Sequence, residues 1–419
     1  MMSEINKTKH IPWNGFLYAI LKIIAKYIRR IFKCKESVSD AFKGQLQNGP
    51  MLIVCNHASN YDFAYYLTPF KKEKVNFVVA ENMHYSSKLF AFLFKHYHII
   101  SKKQFFADLT CIKNIKKYLD NGISVIICPE GKESSDGCTS VVLPSIARLI
   151  KMLSYPVGSI KIQGTGLVAP KWADKTKKGP TSATCDMLFS KEDLKEMKAE
   201  EIYSKLMDRL SFNEHEYQVE HGYTYKGKGF ALGLQNILYR CPVCEKEFNL
   251  ASIDNKLICR NCNSEFTYTN DGFIKSERIG QTRIDLWFKE QKNILDNELK
   301  NDKFIMEDDV DLYMENFKKN GYSFICKGHI KMNKKTLQFN SFEINEKHIK
   351  YLLDSDFTSL ESLKNYIGSL VFDLKNYSSI ANIPGYSIDM CDAKHAFRFV
   401  LTSRPSSAKY ALAIEQLSR

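Results

Sequence analysis

The chain has 419 residues, more than one ordinary core accommodates, so two or three domains are expected. A hydrophobic fraction of 44% beside 26% charged residues excludes an intrinsically disordered chain. The formal charge of +13, from 60 Lys and Arg against 47 Asp and Glu, directs attention to anionic partners: nucleic acid, anionic lipid or phosphorylated substrates.

The first element is "WNGFLYAILKIIAKYIRRIFK", Trp13 to Lys33. No window reaches 18 uninterrupted apolar residues, so no transmembrane helix is expected. At helical period, Lys22, Lys26, Arg29, Arg30 and Lys33 fall on one side, and Leu17, Ile20, Leu21, Ile24, Ile28 and Ile31 on the other. Such a helix suits either the protein's own core or the headgroup boundary of an anionic bilayer; the phospholipid membrane surface is the favoured reading. The chain is large, shows no cleavable signal peptide, and scatters cysteines such as Cys55 and Cys128 singly among apolar neighbours. A reducing cytoplasm follows, with peripheral attachment to the inner face of the membrane.

From residue 51 to 170, short apolar runs alternate with helical patterns. Met51–Cys55, Asn76–Ala80, His98–Ser101, Ser124–Cys128 and Ser159–Gln163 read as strands, and Ser87–Lys95, Asp108–Asn121 and Pro144–Ser154 as helices. This alternation predicts an α/β domain with a mainly parallel sheet flanked by helices. Lys191–Phe212 reads as one or two further helices, rich in charge and solvent-facing.

Two strand ends carry chemistry. The run Met51–Cys55 stops at Asn56-His57, and Asp62 follows five positions later. A histidine there sits at the C-terminal edge of the sheet, where open α/β folds place ligands. With Ser59 or Asn60 capping a helix and Asp62 in its first turn, the carboxylate can fold back onto the imidazole. It would fix the tautomer and leave the other ring nitrogen free to take a proton. No G-x-S-x-G nucleophile motif is present, so the hydroxyl to be activated is expected on the substrate. A structural histidine is the competing reading. The second strand end, Val125–Cys128, runs into Pro129-Glu130-Gly131.

Asn56-His57-x-x-x-x-Asp62, Pro129-Glu130-Gly131 and Tyr155-Pro156-Val157, in this order, resemble the blocks of the glycerolipid acyltransferase family, which includes the 1-acylglycerol-3-phosphate acyltransferases. The similarity spans approximately residues 12 to 215. It implies that His57 takes a proton from a free hydroxyl of a lysophospholipid acceptor, with Asp62 orienting the imidazole. The alkoxide would attack an acyl thioester carried by coenzyme A or acyl carrier protein, the co-substrate, without an acyl-enzyme. By the same resemblance Glu130 and Gly131 hold the glycerol-phosphate end. A cation at the end of "HIISKKQ", Lys102 or Lys103, neutralises the phosphate where the family normally has arginine. Acylation of another acceptor, glycerol-3-phosphate or a glycolipid, and a non-catalytic lipid-binding scaffold are the rival readings.

Composition changes near residue 240. Cys241-x-x-Cys244 and Cys259-x-x-Cys262 offer four thiolates to one tetrahedral ion, so a structural zinc ribbon is expected. The segment lacks the basic and aromatic interleaving of a nucleic-acid binder, and no nucleic-acid partner is expected. A helical connector, Thr282–Lys300, leads to a β-rich remainder. That remainder has turns at Asn320-Gly321 and Asn333-Lys334-Lys335 and a hairpin in "YSIDMCDAKHAFRFVL". Ser406 and Ser407 are plausible caps of a final amphipathic helix. The order of short strands and one last helix predicts a C-terminal β-barrel of pleckstrin-homology (PH) type. The expected divisions are an N-terminal helix (1–36), the acyltransferase domain (37–235), the zinc ribbon (236–275), the connector (276–300) and the barrel (301–419).

Overall fold

The computed structural model describes residues 14–81, 83, 88–103, 108–316, 321–353, 357–392, 395–402 and 405–418. Asn14 starts helix α1 (Gly15–Ile31) by accepting the Leu17 amide on its side chain at 3.1 Å. The elements that follow are β1 (Cys34–Val38), α2 (Asp40–Asn48), β2 (Leu52–Cys55), α3 (Asp62–Tyr66), β3 (Val75–Ala80), α4 (Lys88–Tyr97) and β4 (Ile100–Lys102). Then come α5 (Leu109–Asp120), β5 (Ser124–Ile127), α6 (Ser145–Leu153), β6 (Val157–Gln163), α7 (Thr165–Val168) and β7 (Thr181–Phe189). Helices α8 (Lys191–Glu196), α9 (Ala199–Leu210) and α10 (Glu214–Glu220) close the domain.

The strands form one seven-stranded sheet in the order β1-β7-β6-β2-β5-β3-β4. The run from β6 to β4 is parallel throughout. Central strands β2 and β5 are buried at every position, which is why they read as unbroken apolar runs. Gly158 of β6 lets α2 approach, because a Cβ there would fall 2.5 Å from the Phe42 ring. The expectation omitted β1 and β7, which add an antiparallel flank: β7 runs against β6, and β1 runs alongside β7. Residue 36, drawn as the end of the N-terminal segment, therefore lies inside β1.

Helix α1 divides its apolar residues between two surroundings. Tyr18 and Ala25 are buried and Leu17, Leu21 and Ile28 pack against the domain core. Phe16, Ile20, Ile23, Ile24, Tyr27 and Ile31 are exposed, Phe16 by 75% and Ile23 by 70%. The cationic side is divided too: Arg29 is buried, pairing with Glu36 at 2.6 Å and donating to the Ala64 carbonyl. Among the described residues no helix is long and apolar enough to cross a membrane.

Past Arg240, β8 (Leu250–Ile253), β9 (Lys256–Cys259), β10 (Glu265–Tyr268), β11 (Ile274–Ser276) and β12 (Gly280–Thr282) build a small antiparallel meander. The connector is α11 (Ile284–Lys300). The remainder holds β13 (Met306–Asn316), β14 (Gly321–Met332), β15 (Thr336–Ile344), α12 (Glu346–Ile349), α13 (Leu360–Gly368), β16 (Ser369–Asp373), β17 (Ala381–Ile383), β18 (Ser387–Cys391), β19 (Ala396–Leu401) and α14 (Ser407–Leu417). Its sheet order, β16-β15-β14-β13-β19-β18-β17, joins a four-strand and a three-strand meander through the β13–β19 pair. Among the described residues β16 and β17 do not pair, so the expected barrel is an open half-barrel. The turn at Asn333 forms, its side chain accepting from Lys335 and Thr336. Asn320 lies outside the described residues.

The last helix differs most from expectation. It is not amphipathic in place: every residue from Ser407 to Gln416 is buried. Ser406 does sit at the N-cap position, but its side chain bonds Asp308 and not the helix amides, and Ser407 bonds the Ile383 carbonyl. One continuous hydrophobic core runs from Trp172 and Phe230 through the cysteine-rich meander and α11 into the half-barrel and α14.

Candidate active site

Asn56 ends β2 by imitating a backbone peptide. Its side chain donates to the Ile162 carbonyl (2.8 Å) and accepts the Ile162 amide (2.7 Å), extending the pairing with β6 by one rung. The chain then turns outward and presents His57 at the C-terminal edge of the sheet. Asp62, fully buried at the start of α3, reaches back to it with His57 Nδ1 at 2.9 Å. Tyr61, and not Asn60, occupies the N-cap position without a side-chain bond, and the expected Ser59 acts one turn earlier, its hydroxyl accepting the Tyr61 amide at 3.3 Å. The carboxylate itself also organises the loop: the same Oδ2 accepts the Ala58 amide (2.7 Å) and the Ser59 amide (2.9 Å).

A carboxylate only accepts, so Nδ1 carries the proton and Nε2 presents its lone pair. Nε2 has no hydrogen-bond partner among the described residues, and the side chain is 27% exposed. Burial by itself would push the imidazole down. The bond to Asp62 and its charge more than offset this, holding His57 above its ordinary range.

Glu130, at the tip of β5, completes the group. One oxygen accepts the His57 amide (2.9 Å) and the other the Ser140 amide (2.7 Å). Ser134 then donates its amide to the His57 carbonyl at 2.9 Å, so the histidine's backbone is held on both sides by one segment. Burial pushes the Glu130 carboxyl up to about 7. Gly131 adopts φ +67°, a left-handed turn that favours glycine, and its amide bonds Cys128. Glu130 and Gly131 thus shape the loop around the base.

Lys102 ends β4 on the same edge but three strands from β2, about 14 Å across the ladder, and its ammonium donates to the Lys103 carbonyl. It makes no contact with His57, Asp62 or Glu130 among the described residues. Two charged residues that sequence reasoning missed are linked to His57, one directly and one through the other. Glu133, raised by burial, interacts electrostatically with both His57 and Lys171. Burial pushes Lys171 down to about 8, and its ammonium bonds Asn382 of β17 at 3.3 Å. A third, Glu214 of α10, is pushed up to about 8 by burial and accepts the Gly164 and Gly166 amides, fixing the turn that packs behind Ala58. No local motif flags Lys171 or Glu214; only the fold brings them near.

The four cysteines also meet. Cys241 and Cys259 start two turns of identical bonding, each accepting the amide four residues on and donating to the carbonyl five residues on. Glu245 and Asn263 close them in left-handed conformations. All four sulfurs lie within 4.8 Å of one another, with Cys241–Cys262 at 3.8 Å and Cys244–Cys259 at 3.6 Å. Tetrahedral Zn–S bonds of about 2.3 Å require sulfurs about 3.8 Å apart, so the donor set fits that ion.

Residues 33–163 match the family model described as Acyltransferase. Among solved structures, the chain is similar to the 1-acyl-sn-glycerophosphate (LPA) acyltransferase PlsC from Thermotoga maritima. The two are 16% identical, over 46% of this chain and 75% of that one, with a TM-score of 0.36. Among curated proteins, no sequence matches the chain.

Proposed function

We propose that this chain, whose residues 33–163 match the Acyltransferase family model, is a glycerolipid acyltransferase acting as a peripheral membrane O-acyltransferase. It moves a fatty acyl group from a thioester of coenzyme A or acyl carrier protein to the free hydroxyl of 1-acylglycerol-3-phosphate or a related lysophospholipid. The observation that carries the reading is the His57–Asp62 pair, with Nε2 open at the sheet edge. Nε2 takes the acceptor's hydroxyl proton as its oxygen attacks the thioester carbonyl. When the C–S bond breaks, the imidazolium returns that proton to the departing thiolate, leaving an ester and a free thiol. An oriented, solvent-reached base argues against an inert scaffold.

The purified protein should transfer a radiolabelled acyl group to one of lysophosphatidate, glycerol-3-phosphate or a lysoglycolipid, read as labelled product lipid. Transfer to glycerol-3-phosphate alone would redirect the acceptor assignment, and no transfer to any acceptor from either donor would overturn the reading.

The exposed stripe Phe16, Ile20, Ile23, Ile24, Tyr27 and Ile31, flanked by exposed Lys26, Arg30 and Lys33, supports docking on an anionic bilayer at the cytoplasmic face. Each large side chain inserted contributes about 1.5–3 kcal/mol. Replacing Ile23 and Tyr27 by Asp should therefore weaken co-sedimentation with phosphatidylglycerol-containing vesicles at least about tenfold, with the melting temperature nearly unchanged. Equal sedimentation would remove the helix from the membrane contact. Zinc at the four cysteines and a PH-like identity for the half-barrel belong to the same proposal, the latter supported by strand order and the C-terminal helix.

A further inference from the structure

Helix α14 meets three separate parts of the chain through charged side chains that are nearly dry. Lys409 pairs with Glu247 of the cysteine-rich meander at 2.8 Å and with Glu298 of α11 at 2.7 Å. Gln416 donates to the Lys292 carbonyl of α11 at 2.9 Å. Six residues after Lys409, Glu415 pairs with Lys132 at 2.6 Å, the two side chains being 6% and 11% exposed. A cavity of about 40 Å³ lies beside this pair, bordered by Asp136, Ser140, Lys292 and Asn382. That is room for a water molecule and far too little for an acyl chain, so the junction is packed and not a substrate channel.

The position of Lys132 gives this junction a consequence. It follows Gly131 directly, midway between Glu130, which receives the His57 amide, and Ser134, which donates to the His57 carbonyl. The segment that grips the histidine's backbone on both sides is thus tethered at its centre to the last helix of the chain, 283 residues away. Loss of Glu415 would leave the Lys132 charge in a dry junction, and the segment would shift to rehydrate it, while loss of Lys132 would remove the tether itself. Lys292 approaches Glu415 to 4.0 Å and is the next cation available to it.

We propose that Glu415 is a positioning residue for His57, acting through Lys132, so that the acyltransferase site is complete only with the C-terminal helix docked. This rests on the reading of His57 as the base. In the full-length protein, Glu415→Gln should lower kcat at least tenfold while KM for the acyl donor stays within twofold. Amide hydrogen exchange should quicken at residues 130–134 but not in α9. A general loss of structure would instead accelerate both segments. Should Glu415→Gln fail to fold, Lys132→Met carries the test, since Glu415 then keeps Lys292 beside it. Unchanged exchange at 130–134 in a folded variant overturns the proposal whether or not acyl transfer is found. An inactive wild type in which the exchange still responds would instead sink the acyltransferase reading alone.

Discussion

His57→Ala should lower acyl transfer at least about a hundredfold without loss of fold, because a positioned general base contributes roughly 10²–10⁴ in rate. Among the described residues the side chain makes one hydrogen bond, to Asp62, and its backbone bonds to Glu130 and Ser134 survive the substitution. Asp62→Asn is the more discriminating variant. Asp62 raises the proton affinity of His57 by bond and charge, against the opposing effect of burial. The base works as the neutral imidazole, so wild-type kcat/KM should climb with pH through a value above the ordinary 6.5 of histidine. Without the carboxylate, burial dominates and the imidazole loses its proton more readily. The acid limb of the profile should therefore move to lower pH, even as the plateau falls because the ring is no longer held in one tautomer. The profile of kcat/KM against pH, compared between the two proteins, reads both effects. A wild-type rate retained by His57→Ala, or an acid limb unmoved by Asp62→Asn, would contradict the assigned roles.

The parts of this site that the sequence displays are those whose physics is local. Met51–Cys55 and Val125–Cys128 announce buried parallel strands because both faces are covered, and each stops where the chain leaves the sheet. The CxxC pairs are legible because four thiolates at this spacing suit one tetrahedral ion. What stays hidden depends on partners far along the chain. β7 buries Thr181, Ala183, Cys185 and Phe189 in alternation, but small residues give that alternation little apolar contrast. The sequence of α14 looks amphipathic, and only the partners of Lys409 and Glu415 make its polar side as buried as the other. A motif points to Lys102, whereas Lys171 comes near Glu133 only through the loop after α7, which Ser59 pins at the Ala169 carbonyl. In α1 the periodicity is plain, but it suggests a single apolar face where the fold uses two.

Removing the zinc proposed at the four cysteines should produce the largest loss of stability in the molecule. The strands β8 to β12 are three or four residues long and build no core of their own. Their apolar residues Leu257, Phe266 and Ile274 belong to the cluster shared with α11 and α14. Structural zinc contributes about 10–16 kcal/mol of apparent binding energy in isolated finger peptides, comparable with the whole net stability of a domain. The loss would spread because the meander is tied on every side. Trp287 donates to the Arg240 carbonyl at 3.0 Å and meets Phe266 edge-on at 5.0 Å. Lys177, its amine pushed down to about 7 by burial, places Nζ about 5 Å from the Trp172, Phe230 and Tyr268 rings, joining the α/β domain to the same core. The purified protein should hold one zinc per chain, and Cys259→Ser should abolish it. Melting should fall by at least about 5 °C, since roughly 1 kcal/mol corresponds to 2–4 °C in a domain of 150–250 residues. Trp172 and Trp287 are each only 4% exposed and both abut the meander, so tryptophan emission should shift to the red as the metal leaves. A protein without stoichiometric zinc, or a Cys259→Ser variant that melts and fluoresces like wild type, would return the four thiols to simple packing. Because Lys409 and Glu415 lie on one helix, the same loss should also quicken amide exchange at residues 130–134, linking the metal site to the loop that holds His57.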